Sequence, residues 1–277
     1  MTAPPSSSRD QQPGVQPRAG RLADFLISVG RPIATAAEIA ELAGITTGQV
    51  YDLVRRPLAA GDLVSPGRGL YVAVRPEDRA WGGPAPAEFI DELMAHLART
   101  YYVCLLSAAE IHGVAHQRPQ VFQVMVDRQV RDRAVGRARL RFYTRTGVDT
   151  LPVETRDVPT GTYRVATPEL LACDLADRPR DAGGLSNVAT VLAELVTEEL
   201  LAPDRLAEVA MCFPVSTARR LGWLLSHATG ATDLTALVRV ARRDGTTPAR
   251  LEPRLPRRGP INLTWLVQVN DTVEADV

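Results

Sequence analysis

Thr35-Ala36-Ala37-Glu38-Ile39-Ala40-Glu41-Leu42-Ala43-Gly44-Ile45-Thr46-Thr47-Gly48-Gln49 is the stretch on which the fold of this chain turns. It holds one device twice: a threonine followed three residues later by Glu38 in the first copy and by Gln49 in the second. A hydroxyl at the helix entry and a carboxylate or amide at the third helical position satisfy each other's orphan backbone donors, so both positions read as helix starts. Gly44 between them can adopt the left-handed conformation that ends one helix and turns the chain into the next. Ile39, Ala40 and Ala43 make the apolar stripe of the first helix, and Val50, Leu53 and Val54 that of the second. Two capped helices across a glycine turn spell helix-turn-helix. Leu63-Val64-Ser65-Pro66-Gly67-Arg68-Gly69-Leu70-Tyr71-Val72 reads as two short strands about a turn, which makes the module a winged helix-turn-helix over residues 20–80. Pro57 is expected to close its last helix early, because proline lacks a donor and drives Arg56 out of helical geometry.

On either side the pattern changes. Residues 1–19 are rich in Pro, Ser and Gln with almost no large apolar side chains, and read as a disordered tail. Leu22, Phe25, Leu26 and Val29 recur at helical spacing and give a helix ahead of the pair. Trp81-Gly82-Gly83-Pro84-Ala85-Pro86 reads as a domain boundary. Beyond it, residues 86–277 read as a mixed α/β C-terminal domain. Helices are expected over residues 86–99 and 101–111, and strands over 121–126, 140–145, 153–158 and 162–166. Helices follow over 167–176, 185–200, 203–212, 216–229 and 233–243, and a last strand over 262–269 returns to the sheet. The class is α+β: a winged helix, then a small central sheet with a helical C-terminal half.

The 277 residues carry no formal net charge, so any nucleic-acid affinity must come from a local basic face. Every basic residue apart from the four histidines is arginine. The absence of lysine excludes a P-loop, a Schiff base and a kinase-type strand lysine, since arginine cannot release a proton where such chemistry needs one. It leaves phosphate binding intact, because the guanidinium fork suits it. Cys104, Cys173 and Cys212 are few and far apart, which argues against a disulfide framework or a zinc site and for a reducing cytoplasm. His112 and His116 are four apart, but Gly113 lies between them and no further ligand follows, so no metal or cofactor is expected. No membrane span is expected either.

Two sets of residues are candidates for binding. Thr46, Thr47, Gln49, Tyr51, Arg55 and Arg56 fall off the apolar stripe of the recognition helix and are long or hydrogen-bonding, as base and phosphate contacts require, while Arg68 lies in the wing. Arg128, Arg131, Arg133, Arg137, Arg139, Arg141 and Arg145 form a run interrupted by Asp132 alone, a basic surface for a polyanion or a solvated strand and loop. Arg250, Arg254, Arg257 and Arg258 form a second cluster of the same ambiguity. Glu110, Asp127, Asp157, Glu169 and Asp174 lie near element ends without a spacing that makes any two converge.

Taken in order, these pieces resemble the AbiEi antitoxin family, the transcription-regulating halves of type IV toxin–antitoxin systems. The resemblance is carried by Gly67-Arg68-Gly69-Leu70-Tyr71-Val72, by Tyr101-Tyr102-Val103-Cys104-Leu105-Leu106-Ser107-Ala108-Ala109-Glu110-Ile111-His112-Gly113, and by Val165-Ala166-Thr167-Pro168-Glu169. Arg219-Arg220-Leu221-Gly222-Trp223-Leu224-Leu225 and Trp265-Leu266-Val267-Gln268-Val269-Asn270 complete it. It implies a non-enzymatic autorepressor that binds inverted repeats of double-stranded DNA at its own promoter and counters a nucleotidyltransferase-like toxin with which it need not form a stable complex. The alternative is an enzyme of nucleic-acid processing or nucleotide modification, with its site in the C-terminal domain and the winged helix delivering substrate.

Overall fold

The computed structural model of the chain describes residues 19–116, 119–230 and 233–274; the tail expected over residues 1–19 lies outside them but for Ala19. The chain divides into two compact units, one running to Ala85 and taking in Val135–Arg137, the other comprising Pro86–Ala134 and Ala138–Val277.

The first unit runs α1 (Leu22–Ser28), β1 (Ile33–Thr35), α2 (Ala36–Ala43), α3 (Thr47–Ala60), β2 (Leu63–Gly67) and β3 (Leu70–Ala73). The three strands form an antiparallel sheet in the order β1-β3-β2, with Ile33 opposite Val72 and Leu63 opposite Ala73. β1 was not legible in the sequence: its three residues pair only with a distant strand and have too short a run to alternate. Leu22, Leu26, Ile39, Val50, Val54, Leu63 and Tyr71 meet in one core. Each aliphatic side chain so enclosed stabilises by about 1.5–3 kcal/mol relative to exposure. Thr35 and Thr46 are the N-caps of α2 and α3, each in a complete capping box, and Gly44 ends α2 at φ 64°.

Pro57 does not end α3. The helix continues through it to Ala60 and stops at Gly61, whose φ of 75° is left-handed. The ring is buried in the last turn, where only one carbonyl loses its donor, and the Asp62 N–H reaches back to the Pro57 carbonyl at 2.9 Å. Arg55 and Arg56 therefore stay on a helix of full length.

The second unit begins with α4 (Ile90–His96), β4 (Tyr101–Val103), α5 (Leu105–Ile111), β5 (Phe122–Val126), β6 (Arg133–Val135) and β7 (Ala138–Thr144). It goes on through β8 (Val153–Val158), β9 (Gly161–Ala166), α6 (Pro168–Asp177), α7 (Leu185–Thr197), α8 (Pro203–Met211), α9 (Val215–Thr229) and α10 (Thr235–Ala241). It closes with the two-residue strands β10 (Ala249–Arg250), β11 (Ile261–Asn262) and β12 (Val267–Gln268). The main sheet is mixed, in the order β6-β7-β5-β4-β9-β8, and the α+β class expected from the sequence holds. α6 is enclosed along nearly its whole length and packs on α5, α8 and α9.

Two expectations fail here. Residues 101–111 are not one helix: Tyr101-Tyr102-Val103 form a buried central strand, and the helix starts only at Leu105. A run buried on both faces has no alternation to separate it from a buried helix, and only the β-forming Tyr-Tyr-Val distinguishes it. The last strand does not return to the main sheet. β12 instead pairs with β10 and β11 in a separate three-stranded sheet, because it extends only two residues and its neighbours come from the same Pro-rich tail.

Candidate functional site

α3 advances by about 100° per residue, and Val50, Val54 and Pro57 define its buried side. The side diametrically opposite carries Gly48, Asp52, Arg55 and Ala59, flanked by Tyr51 on one edge and by Gln49 and Arg56 on the other; all are exposed. The structure thus brings Gln49, Tyr51, Arg55 and Arg56 onto one outward surface, with Thr46 and Thr47 exposed at its N-terminal end.

Thr46 and Gln49 are already engaged. Gln49 Oε1 accepts from the Thr46 N–H at 2.9 Å and from the Thr46 hydroxyl at 3.0 Å, while the Gln49 N–H donates to Thr46 Oγ1 at 3.4 Å. Only the amide NH2 of Gln49 is left to face a ligand. The same device at α2 holds the Glu38 carboxyl below its ordinary range, chiefly through the Thr35 N–H and hydroxyl, with Arg31 3.6 Å away. Arg68 is exposed in the turn between β2 and β3, and that turn is tied to the start of α2 by the Ala36 N–H donating to the Gly69 carbonyl at 2.8 Å.

Asp52 was absent from the sequence-derived set although it sits at the middle of the outward side. The signal was available: Gly48, Asp52 and Arg55 or Arg56 recur at the spacing of one helix face.

The arginine run of the second half is not one surface. Arg137 groups with the first unit and the remainder with the second. Arg128, Arg131 and Arg139 are exposed, Arg133 is half-buried, and Arg141 lies 4.0 Å from Asp181 and 5.5 Å from the centre of the Tyr143 ring. Arg145 is turned inward, which removes it from any contact surface. It lies 3.5 Å from the centre of the Phe213 ring, donates to the Cys212 carbonyl at 2.9 Å and is 3.9 Å from Asp174. Packing against a ring while facing a buried carboxylate outweighs hydration for a guanidinium so placed. In the second cluster, Arg250 and Arg257 donate to the carbonyls of Leu255 and Pro248.

Asp174 gathers partners that no local spacing signals. It is fully buried on α6, accepts from the Tyr102 hydroxyl at 3.3 Å and faces Arg145, while its second oxygen has no hydrogen-bond partner among the described residues. Burial raises its pKa to about 7 against the opposing pull of Arg145 and of the Tyr102 hydrogen bond. Burial likewise pushes the Tyr102 hydroxyl and the Cys104 and Cys173 thiols up. Cys212, by contrast, is exposed. His112 and His116 part company: His112 Nε2 lies 2.7 Å from the Ala166 carbonyl, and His116 lies 3.6 Å from Glu194.

A capped helical pair on a three-stranded sheet, followed by a mixed sheet and a buried helix packed among other helices, defines a two-unit α+β protein with one polar helix face turned outward. Residues 101–227, from β4 to the end of α9, match the family described as the AbiEi antitoxin C-terminal domain. The match falls on the half of the chain where the sequence resemblance is densest, and it likens residues 101–227 to an antitoxin C-terminal domain. Its fold is similar to that in the crystal structure of the RV2827C protein from Mycobacterium tuberculosis, with a TM-score of 0.64 at 17% identity, over 92% of this chain and 94% of that one. No curated protein matches the chain. Among the described residues no helix is long and apolar enough to cross a membrane.

Proposed function

We propose that this chain is a cytoplasmic, DNA-binding autorepressor and antitoxin of a type IV toxin–antitoxin system, countering a nucleotidyltransferase-like toxin without an enzymatic step of its own. Residues 20–80 are its winged helix-turn-helix, with α3 as the recognition helix, and residues 86–277 are its antitoxin domain. The observation that carries this reading is the outward side of α3, on which Arg55 and Arg56 are exposed beside Tyr51, with Thr47 exposed at its N-terminal end, on a helix held at both ends by its caps. Arg55, Arg56 and Arg68 hold phosphates of double-stranded DNA at inverted repeats in the chain's own promoter, and Thr47 and Tyr51 meet base edges.

The test is a footprint of the full-length protein on the DNA upstream of its coding sequence, followed by titrations across a range of salt. Arg55→Ala, Arg56→Ala and Arg68→Ala should each weaken binding to every duplex and reduce the salt slope by about one. Unchanged affinity and slope in all three would remove α3 and the wing from the interface. Full-length Arg55→Ala/Arg56→Ala protein should still rescue growth when the neighbouring toxin is expressed, while no longer repressing the promoter.

A further inference from the structure

The outward side of α3 is not a phosphate-binding surface alone. Its central position is Asp52, an exposed carboxylate one turn beyond Gly48 and three and four residues before Arg55 and Arg56. Asp52 makes no side-chain hydrogen bond or ion pair among the described residues, so it is not there to tie down either arginine. A carboxylate at the middle of a helix face that approaches phosphates is repelled by them, and the repulsion is offset only if the group gains something at the floor of the groove. The residues along the same line allow that depth. Gly48 has no side chain and a Cβ built there would meet nothing but Thr46 Oγ1 at 3.9 Å, and Ala59 ends in a methyl group. The longer Tyr51, Arg55 and Arg56 lie beside the centre line or toward the C-terminal end, where phosphates flank a helix seated in the major groove.

An ionised aspartate accepts hydrogen bonds and donates none. In the major groove the exocyclic amine of cytosine is a donor without an acceptor on the same base edge, whereas adenine sets its N7 acceptor beside its amine and guanine shows only acceptors. Gln49, the residue type suited to adenine, has its oxygen held by Thr46. We infer that Asp52 is the specificity-determining residue of α3, accepting a hydrogen bond from the amine of a cytosine in the major groove; this rests on the DNA-binding reading above.

The experiment uses full-length wild-type protein, Asp52→Ala and Asp52→Asn. Each is titrated against the footprinted duplex, against every single base-pair substitution within it, and against a duplex of random sequence. Wild type should prefer a C·G pair at one position by about 5- to 100-fold. Asp52→Ala should lose that preference alone, keep those at other positions, and bind random DNA as tightly as wild type or more tightly. Asp52→Asn should move the preference at that position to adenine, a change that a merely structural role for the side chain would not produce. Wild type that binds while Asp52→Ala alters all duplexes by one common factor overturns this inference and leaves the DNA-binding reading standing. Wild type without affinity for any duplex overturns both.

Discussion

Asp174 and Gly222 are single positions whose surroundings fix the sign of a measurable change. In the unfolded chain Asp174 ionises near its ordinary value of 3.8, but in the folded chain it keeps its proton to about pH 7. Between those values the folded state binds more protons than the unfolded one, so this group's contribution makes stability fall as pH rises and level off above pH 7. Asp174→Asn keeps the shape and removes the ionisation. It should match wild type near pH 4 and exceed it at pH 8, by no more than about 4 kcal/mol and less as Arg145 loses its counter-charge. Chemical denaturation of both proteins across that range tests it, and parallel curves would mean that Asp174 is ionised when folded. At Gly222 a Cβ would stand 2.1 Å from the Trp265 ring, which is itself fixed by its Nε1–H donating to Ser226 Oγ at 3.0 Å. Alanine ordinarily favours a helix over glycine by about 0.8–1 kcal/mol. Here the overlap should reverse that sign, and Gly222→Ala should lower stability by about 1–3 kcal/mol. A melting temperature above that of wild type would show that Trp265 can move aside.

At the scale of elements, what the sequence made legible was whatever is encoded within a few residues. Both capping boxes, the glycine turn and the hairpin were read from adjacent positions, and the helices from α6 to α10 from their stripes and from Thr167-Pro168. What stayed hidden depended on partners distant in the chain: β1 needs β3, the double burial of Tyr101-Tyr102-Val103 needs strands on both sides, and the polar centre at Asp174 needs Tyr102 from β4 and Arg145 from beyond β7. Pro57 was misread for a related reason, since a rule about local geometry was set against burial that only the fold supplies. The caps carry a prediction of their own. Thr46→Ala removes the acceptor for the Gln49 N–H and should cost the first unit about 0.5–2 kcal/mol. It should also loosen the Gln49 amide, because the hydroxyl donor to Oε1 is lost and only the backbone N–H of residue 46 still holds it. Within the DNA-binding reading, that variant gains an adenine preference that wild type lacks, and base-substitution binding assays corrected for the folded fraction would detect it.

At the scale of the molecule, the absence of lysine means that arginine fills two different roles, and the more structural one reaches past the antitoxin match. Arg219 is buried on α9 and gives its guanidinium to the carbonyls of Ala241, Asp244, Gly245 and Thr247. Arg220 beside it reaches the carbonyls of Ala176, Arg250 and Leu251. Together with Trp265 over Gly222 and the Val273 carbonyl 3.1 Å from His227 Nε2, these contacts fasten the C-terminal segment onto α9. The matched residues 101–227 thus hold the arginines but not most of the groups that satisfy them. A chain ending at residue 248 would keep Arg220 at its buried position with the carbonyls of Arg250 and Leu251 gone, and would leave the slot over Gly222 empty. Removing the partners of a buried charge costs about 3–5 kcal/mol, a large part of the 5–15 kcal/mol that holds a typical protein folded. That truncation should lack cooperative unfolding and be cut rapidly by protease, whereas full-length Arg219→Lys, a point charge that cannot span four carbonyls, should fold with reduced stability. If the truncated chain unfolds at the same denaturant concentration as the intact one, the C-terminal segment is an ornament on the matched region and not part of what holds it together.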